Sequence, residues 1–288
     1  MKKVGYFFFT FLPFFASIGL QFVVMLPLMG FSMLYVCFSG ILSGQKLGYD
    51  ALVSQLMGIY GNQNFSMAVS IAFALSGILI FGAWYSCQFH VNIRFPADKF
   101  SNSKMLLGLV LVVPGLQIAS AIITGFSAFF LPGWMDFYEK LMETAGFSST
   151  SPSLLLIIYA VLLGPIEEEL TFRGVALASA KKALPFWAAN VFQALLFAVF
   201  HLNPIQGIYA FFVGLFLGYV YHRSGSIWIS SLLHMLYNAF GTFISGMVEI
   251  YSPLLILLLV GISIVGFYLF HKNTSLPGIN HSPDFSDM

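Results

Sequence analysis

The sequence predicts an all-α fold, a polytopic integral membrane helical bundle of about eight transmembrane helices. Three observations carry that expectation. Of the 288 residues, 59% are hydrophobic and only 8% charged, against roughly 25% charged in an ordinary soluble domain. Mean hydropathy is +0.89, so too few polar side chains exist to cover a globule of this size, and the bilayer has to act as solvent. Apolar runs approaching the length of about 20 residues that a spanning helix needs recur along the chain, with short polar connections between them.

In order, the runs fall at about 11–42, 65–89, 105–131, 154–173, 186–202, 205–221, 227–247 and 254–270. The first belongs to an apolar stretch from Val4 to Leu42 that is too long for one upright helix. It is expected to be a tilted span with an interfacial lead-in, broken near Pro13 or Pro27. It also exceeds a signal-peptide core and has no small-residue cleavage pattern, so it reads as a retained anchor.

Orientation follows the distribution of Lys and Arg. With the N-terminus in the cytoplasm, the inner segments hold Lys2 and Lys3, then Arg94, Lys99 and Lys104, then Lys181 and Lys182, then Arg223, then Lys272. The outer ones keep only Lys46 and Lys140, and 133–153 is acidic on balance. Residues 1–271 read as a single membrane domain, with 1–104 supplying spans without motifs, and 272–288 as a short flexible cytoplasmic tail. A net charge of +1 gives no basic surface for nucleic acid. Cys37 and Cys87 lie in apolar stretches without CxxC or Cys/His spacing, which argues against a disulfide framework or a thiolate zinc site.

Nearly all charges sit in connections or at span ends, and the exceptions cluster. Glu167, Glu168, Glu169 and Arg173 lie in the fourth run, His201 in the fifth, and His234 with Asn238 in the seventh. Ionisable groups at membrane depth cost roughly 2.5–3.5 kcal/mol each on insertion scales and mark function by default. Glu169 and Arg173 are four apart, stacked for an ion pair, while Glu168 points about 100° away from Glu169 and meets a different neighbour. Phe197 and His201 share one face, and so do His234 and Asn238. Counted from a boundary near Ala176, Glu168 lies about 12 Å deep, and His234 about 13 Å past Gly225. The groups are therefore expected in one layer of the cytoplasmic half.

A carboxylate beside an imidazole in a desolvated site suits the activation of water. A second His with an Asn one turn away supplies donors for a developing oxyanion. No Ser or Cys stands out beside a base, since Ser230 and Ser231 are ordinary packing hydroxyls for a membrane helix. The bland readings are an ion-pair network for Glu168, Glu169 and Arg173, and interhelical hydrogen bonding for the histidines and Asn238.

The run Gly164-Pro165-Ile166-Glu167-Glu168-Glu169-Leu170-Thr171-Phe172-Arg173-Gly174 contains EExxxR, Phe197 to His201 gives FxxxH, and His234 to Asn238 gives HxxxN. In that order, on successive spans, they resemble the CPBP intramembrane protease family, which includes type II CAAX prenyl endopeptidases and bacterial bacteriocin-processing or self-immunity (Abi-like) proteins. The resemblance covers about 154–247. It implies a glutamate-dependent peptidase in which Glu168 and His201 activate the water and His234 and Asn238 stabilise the oxyanion. Glu169, Arg173 and Phe197 are supporting, with Arg173 holding Glu169 in place. Glu167 lies outside the motif and is expected either to be protonated or to face a polar crevice.

The implied substrate is a lipid-modified or strongly hydrophobic peptide presented from the bilayer, and short loops favour a bacterial plasma membrane. No cofactor is expected. The alternative is zinc held by Glu168, His201 and His234, a ligand set known from catalytic zinc sites, although the spacing is not HExxH. A non-catalytic scaffold or self-immunity protein binding a peptide or sensor partner is the other reading. A proton-coupled transporter lacks support, for want of half-sequence symmetry or paired broken helices.

Overall fold

The computed structural model describes residues 2–44, 48–91, 96–147, 151–244 and 253–274. Lys46, Arg94 and all of the expected tail beyond Thr274 lie outside the described residues. Among the described residues the ordered elements are all helices. Six of them are long and apolar enough to cross a membrane by length and composition. A helical run over 154–181 and the shorter apolar helix Phe186–Phe200 lie where the other two apolar runs are expected.

The first apolar stretch divides into α1 (Lys2–Phe9) and α2 (Leu12–Leu42). The break falls at Thr10–Phe11, immediately before Pro13, which sits in the first turn of α2, where its missing N–H costs nothing. Pro27 leaves the helix continuous. At 1.5 Å per residue α2 is about 46 Å long, beyond the roughly 30 Å of hydrocarbon, as the tilted-span expectation requires. It buries Pro13, Phe14, Ser17, Val36 and Gly40, while Phe22, Val23, Phe31 and Leu34 are exposed, as lipid-facing side chains should be.

Three short helices occupy connections in which the sequence shows no apolar run. Helix α3 (Tyr49–Tyr60) is tied back to α2 by Tyr60, whose hydroxyl donates to Met29 O at 3.1 Å. Then follow α4 (Gln63–Phe89), α5 (Ala97–Phe100), α6 (Ser103–Phe130) and α7 (Pro132–Ala145). Helix α7 is amphipathic. Trp134, Phe137 and Leu141 are exposed apolar groups on a helix that also carries Asp136, Glu139 and Glu143, a pattern suited to lying in an interface.

The run 154–181, α8, is surrounded over Leu170–Leu177. Every residue of that segment is buried, which identifies a helix packed on all sides there. It is followed by α9 (Phe186–Phe200), α10 (Pro204–Ser224), α11 (Ile227–Ile244) and α12 (Pro253–Lys272). Apolar side chains of α6, α10, α11 and α12, among them Leu109, Leu217, Leu233 and Phe270, form one core cluster. Phe81 and Tyr85 of α4 pack on Leu170 and Val175 of α8 in a second.

Helix α12 docks tightly on α6. A Cβ on Gly108 would lie 2.6 Å from Phe270 N, and one on Gly266 2.8 Å from Val112 N, so both positions must be Gly. At Pro114 the backbone ladder of α6 is interrupted, and Ser263 Oγ enters the gap. It accepts from Gly115 N at 2.8 Å and donates to Leu111 O at 3.0 Å.

The basic connections gather at one end of the bundle. Lys99 Nζ donates to Ser224 O, Lys182 Nζ lies over the Tyr6 and Phe89 rings, and Arg223 donates to His271 O at 2.6 Å. This agrees with the alternation of basic and non-basic loops along the sequence.

Candidate active site

Helix α8 carries the acids, and its winding changes at them. It is π-helical over Ile158–Leu163, α-helical over Gly164–Glu169 and π-helical again over Leu170–Leu177. Such π segments concentrate at functional sites. The run continues to Lys181, so Glu168 lies about 20 Å from that helix end. On α9, His201 caps the C-terminus, about 22 Å from Phe186 by the same rise. The two groups therefore stand at similar distances from the turn that joins α8 and α9, as the hairpin count predicts.

Glu169 and Arg173 form a fully buried ion pair, Oε1 to Nη1 at 2.8 Å. The other arm of the guanidinium, Nη2, donates to Gly214 O of α10 at 3.3 Å, and Cζ lies 4.4 Å from the Phe197 ring centroid. Glu169 Oε1 also meets His234 Nδ1 at 3.0 Å. Because a carboxylate only accepts, Nδ1 carries the proton in that contact. The opposite ring nitrogen, Nε2, stands 3.5 Å from Glu168 Oε2. His234 thus bridges the two glutamates that the helix turns apart.

Exposure separates their roles. The Glu169 and Arg173 side chains are 0% exposed and His234 5%, while Glu168 is 14% exposed. Glu168 is the carboxylate left open to the interior of the site.

Phe197 is the centre about which the aromatic groups gather. Its ring centroid is 4.9 Å from His201, 5.9 Å from His234 and 5.2 Å from Phe172, each edge-on. The structure therefore brings together Glu168, Glu169, Arg173, Phe197 and His234. His201 joins them through the Phe197 ring, and among the described residues its nitrogens make no direct hydrogen bond. It is followed by Leu202, whose φ of 53° is an uncommon conformation for a bulky residue. Asn238 turns to α8, where Nδ2 donates to Ala160 O at 2.8 Å.

Glu167 faces neither crevice nor solvent. It is 1% exposed, and Oε1 accepts from Thr171 Oγ1 at 2.9 Å and Ser17 Oγ at 3.3 Å. Its Cγ fills the notch left by Gly77 of α4, where a Cβ would come within 2.4 Å.

Three polar residues near the site escape the motif reading. Gln193 Nε2 donates to Gly214 O at 3.0 Å, sharing that acceptor with Arg173, and also to Asn190 Oδ1 at 2.9 Å. Both amides are fully buried. The available signal was two amides three apart in a short apolar helix. Tyr209 of α10 packs against the cluster that holds Phe172 and Phe197, and its hydroxyl is 3.3 Å from that of Tyr138 on α7. Among the described residues, no three His, Cys, Asp or Glu side chains are gathered as a metal-ligand set.

Fold and site define a class, a polytopic helical membrane protein whose motif-bearing core is similar to the CPBP proteases. Residues 150–240 match the family described as Type II CAAX prenyl endopeptidase Rce1-like, in agreement with the resemblance drawn from the three motifs. Over 135 residues the chain is 25% identical to a Bacillus subtilis (strain 168) protein named "Putative membrane peptidase YdiL". The alignment covers 44% of this chain and 55% of that relative, so the chain spans about half its length. No solved structure matches.

Proposed function

We propose that this chain is an intramembrane, glutamate-dependent endopeptidase that cleaves a peptide bond in a lipid-modified or strongly hydrophobic, membrane-presented peptide. The observation that carries the reading is the chain of contacts from Arg173 through Glu169 and His234 to Glu168. It fixes every member except the outermost carboxylate, which is left free to act as a base.

Glu168 takes a proton from a water held between it and His201, and the water oxygen attacks the scissile carbonyl carbon. His234, with its Nδ1–H donated to Glu169, carries a second proton on Nε2 and donates that N–H to the developing oxyanion. Asn238 offers the amide N–H not engaged by Ala160. Collapse of the tetrahedral intermediate breaks the C–N bond, and Glu168 returns the proton to the leaving amine. Glu169, Arg173 and Phe197 hold His234 in place. No metal is required. The distribution of basic loops supports an N-terminus in the cytoplasm, and we assign the chain to a bacterial plasma membrane.

The test is Glu168→Gln in the purified full chain, assayed on a quenched hydrophobic peptide and by mass spectrometry of membrane peptides from cells. General base catalysis is worth about 10²–10⁴-fold, and a loss of that size is expected without loss of folding. A well-folded variant with full cleavage and phenotype would overturn the hydrolase reading and favour a scaffold or self-immunity role.

A further inference from the structure

Helix α8 contains a main-chain carbonyl that its own helix cannot satisfy. In the π segment Ile158–Leu163, the Gly164 N–H goes to Tyr159 O, so it is not available to Ala160 O four residues back. The next candidate, five residues on, is Pro165, which has no N–H. Ala160 is buried, and an unpaired carbonyl there is costly. The donor comes from another helix, for Asn238 Nδ2 reaches Ala160 O at 2.8 Å.

The geometry points to a register lock, in which Pro165 deletes a backbone donor and Asn238 supplies it from α11. Asn238 lies one turn beyond His234 and Pro165 one turn before Glu169. The lock therefore fixes how far α11 can slide or rotate against α8, and with it the placement of His234 between Glu168 and Glu169. The bond also fixes which side of the Asn238 amide faces the site. Pro165 and the Ala160 carbonyl are positioning groups, and Asn238 has a positioning role besides any contact with substrate. The link to turnover rests on the proposed peptidase reading, whereas the lock itself does not.

The experiment is a double-mutant cycle on the full chain in detergent, with Pro165→Ala, Asn238→Leu and both together. Asn238→Leu should lower the unfolding temperature by several degrees. In the Pro165→Ala background, where the backbone N–H is restored, the same change should cost less than half as much. A second readout follows the ¹⁵N-histidine signal of His234, assigned by His234→Gln. It should shift in Asn238→Leu and return toward wild type in the double variant. Equal costs in both backgrounds, or a His234 signal unmoved by Asn238→Leu, would overturn the proposal. If Asn238→Leu does not fold, Asn238→Ala enters the same cycle. Both readouts are independent of cleavage, so failure of the peptidase reading is distinguishable from failure of the lock.

Discussion

Replacing Arg173 by Met removes a buried guanidinium while keeping an unbranched side chain. The lost contacts are the 2.8 Å pair with Glu169, the 3.3 Å bond to Gly214 O and the stack 4.4 Å over Phe197. Removing one partner of a buried pair costs about 3–5 kcal/mol, because the other charge is left uncompensated. Here Glu169 would keep only His234, so the loss should fall in that range. Titration with SDS in mixed micelles, following unfolding by tryptophan fluorescence, measures it. Arg173→Met should lose about 3–5 kcal/mol, and Glu169→Gln/Arg173→Met should recover more than half, since a neutral amide needs no counter-charge. Arg173→Lys should fall between, keeping the charge but not the fork that spans two acceptors. A loss below about 1 kcal/mol, as for an exposed pair, or strict additivity in the double variant would refute the buried-pair argument.

Gly77→Ala places a Cβ 2.4 Å from the Glu167 Cγ and should destabilise the fold by about 1–3 kcal/mol, read in the same titration; a neutral result would mean that α4 and α8 are not in contact there. Ser263→Ala leaves the Gly115 amide without its partner, for a loss of about 1–3 kcal/mol, and hydrogen exchange should accelerate at Gly115 ahead of its neighbours. Cleavage should survive exhaustive chelation. Activity lost to a chelator and restored by zinc would instead assign Glu168, His201 and His234 as metal ligands.

The spans were legible because length and apolarity alone define them, and Pro13 marked the break in the first run. The three motifs pointed to Glu168, Glu169, Arg173, His201 and His234, which gather about Phe197, and to Asn238, which turns instead to Ala160 O. Other features depend on packing that no local pattern encodes. Helix α3 lies in a connection without an apolar run and is held through Tyr60, a contact made across the chain. Glu167 read as a surplus acid because its partners, Ser17 and the Gly77 notch, lie on α2 and α4. The π winding of α8 was also invisible. It shifts main-chain pairing from four residues to five without changing the side-chain types, and this frees the Ala160 carbonyl. Helix geometry turned Glu168 and Glu169 apart correctly, but not the way one imidazole spans both.

The hydroxyl of Ser263 has a consequence for the order of assembly. The ladder of α6 is mended at Pro114 by a residue emerging from the ribosome some 150 positions later. Until then the Gly115 amide has no partner in a medium that offers none, and the grooves at Gly108 and Gly115 stand open. Completion of the α6 packing therefore waits for α12, and a nascent chain stalled before Pro253 presents an unfinished surface to membrane quality control.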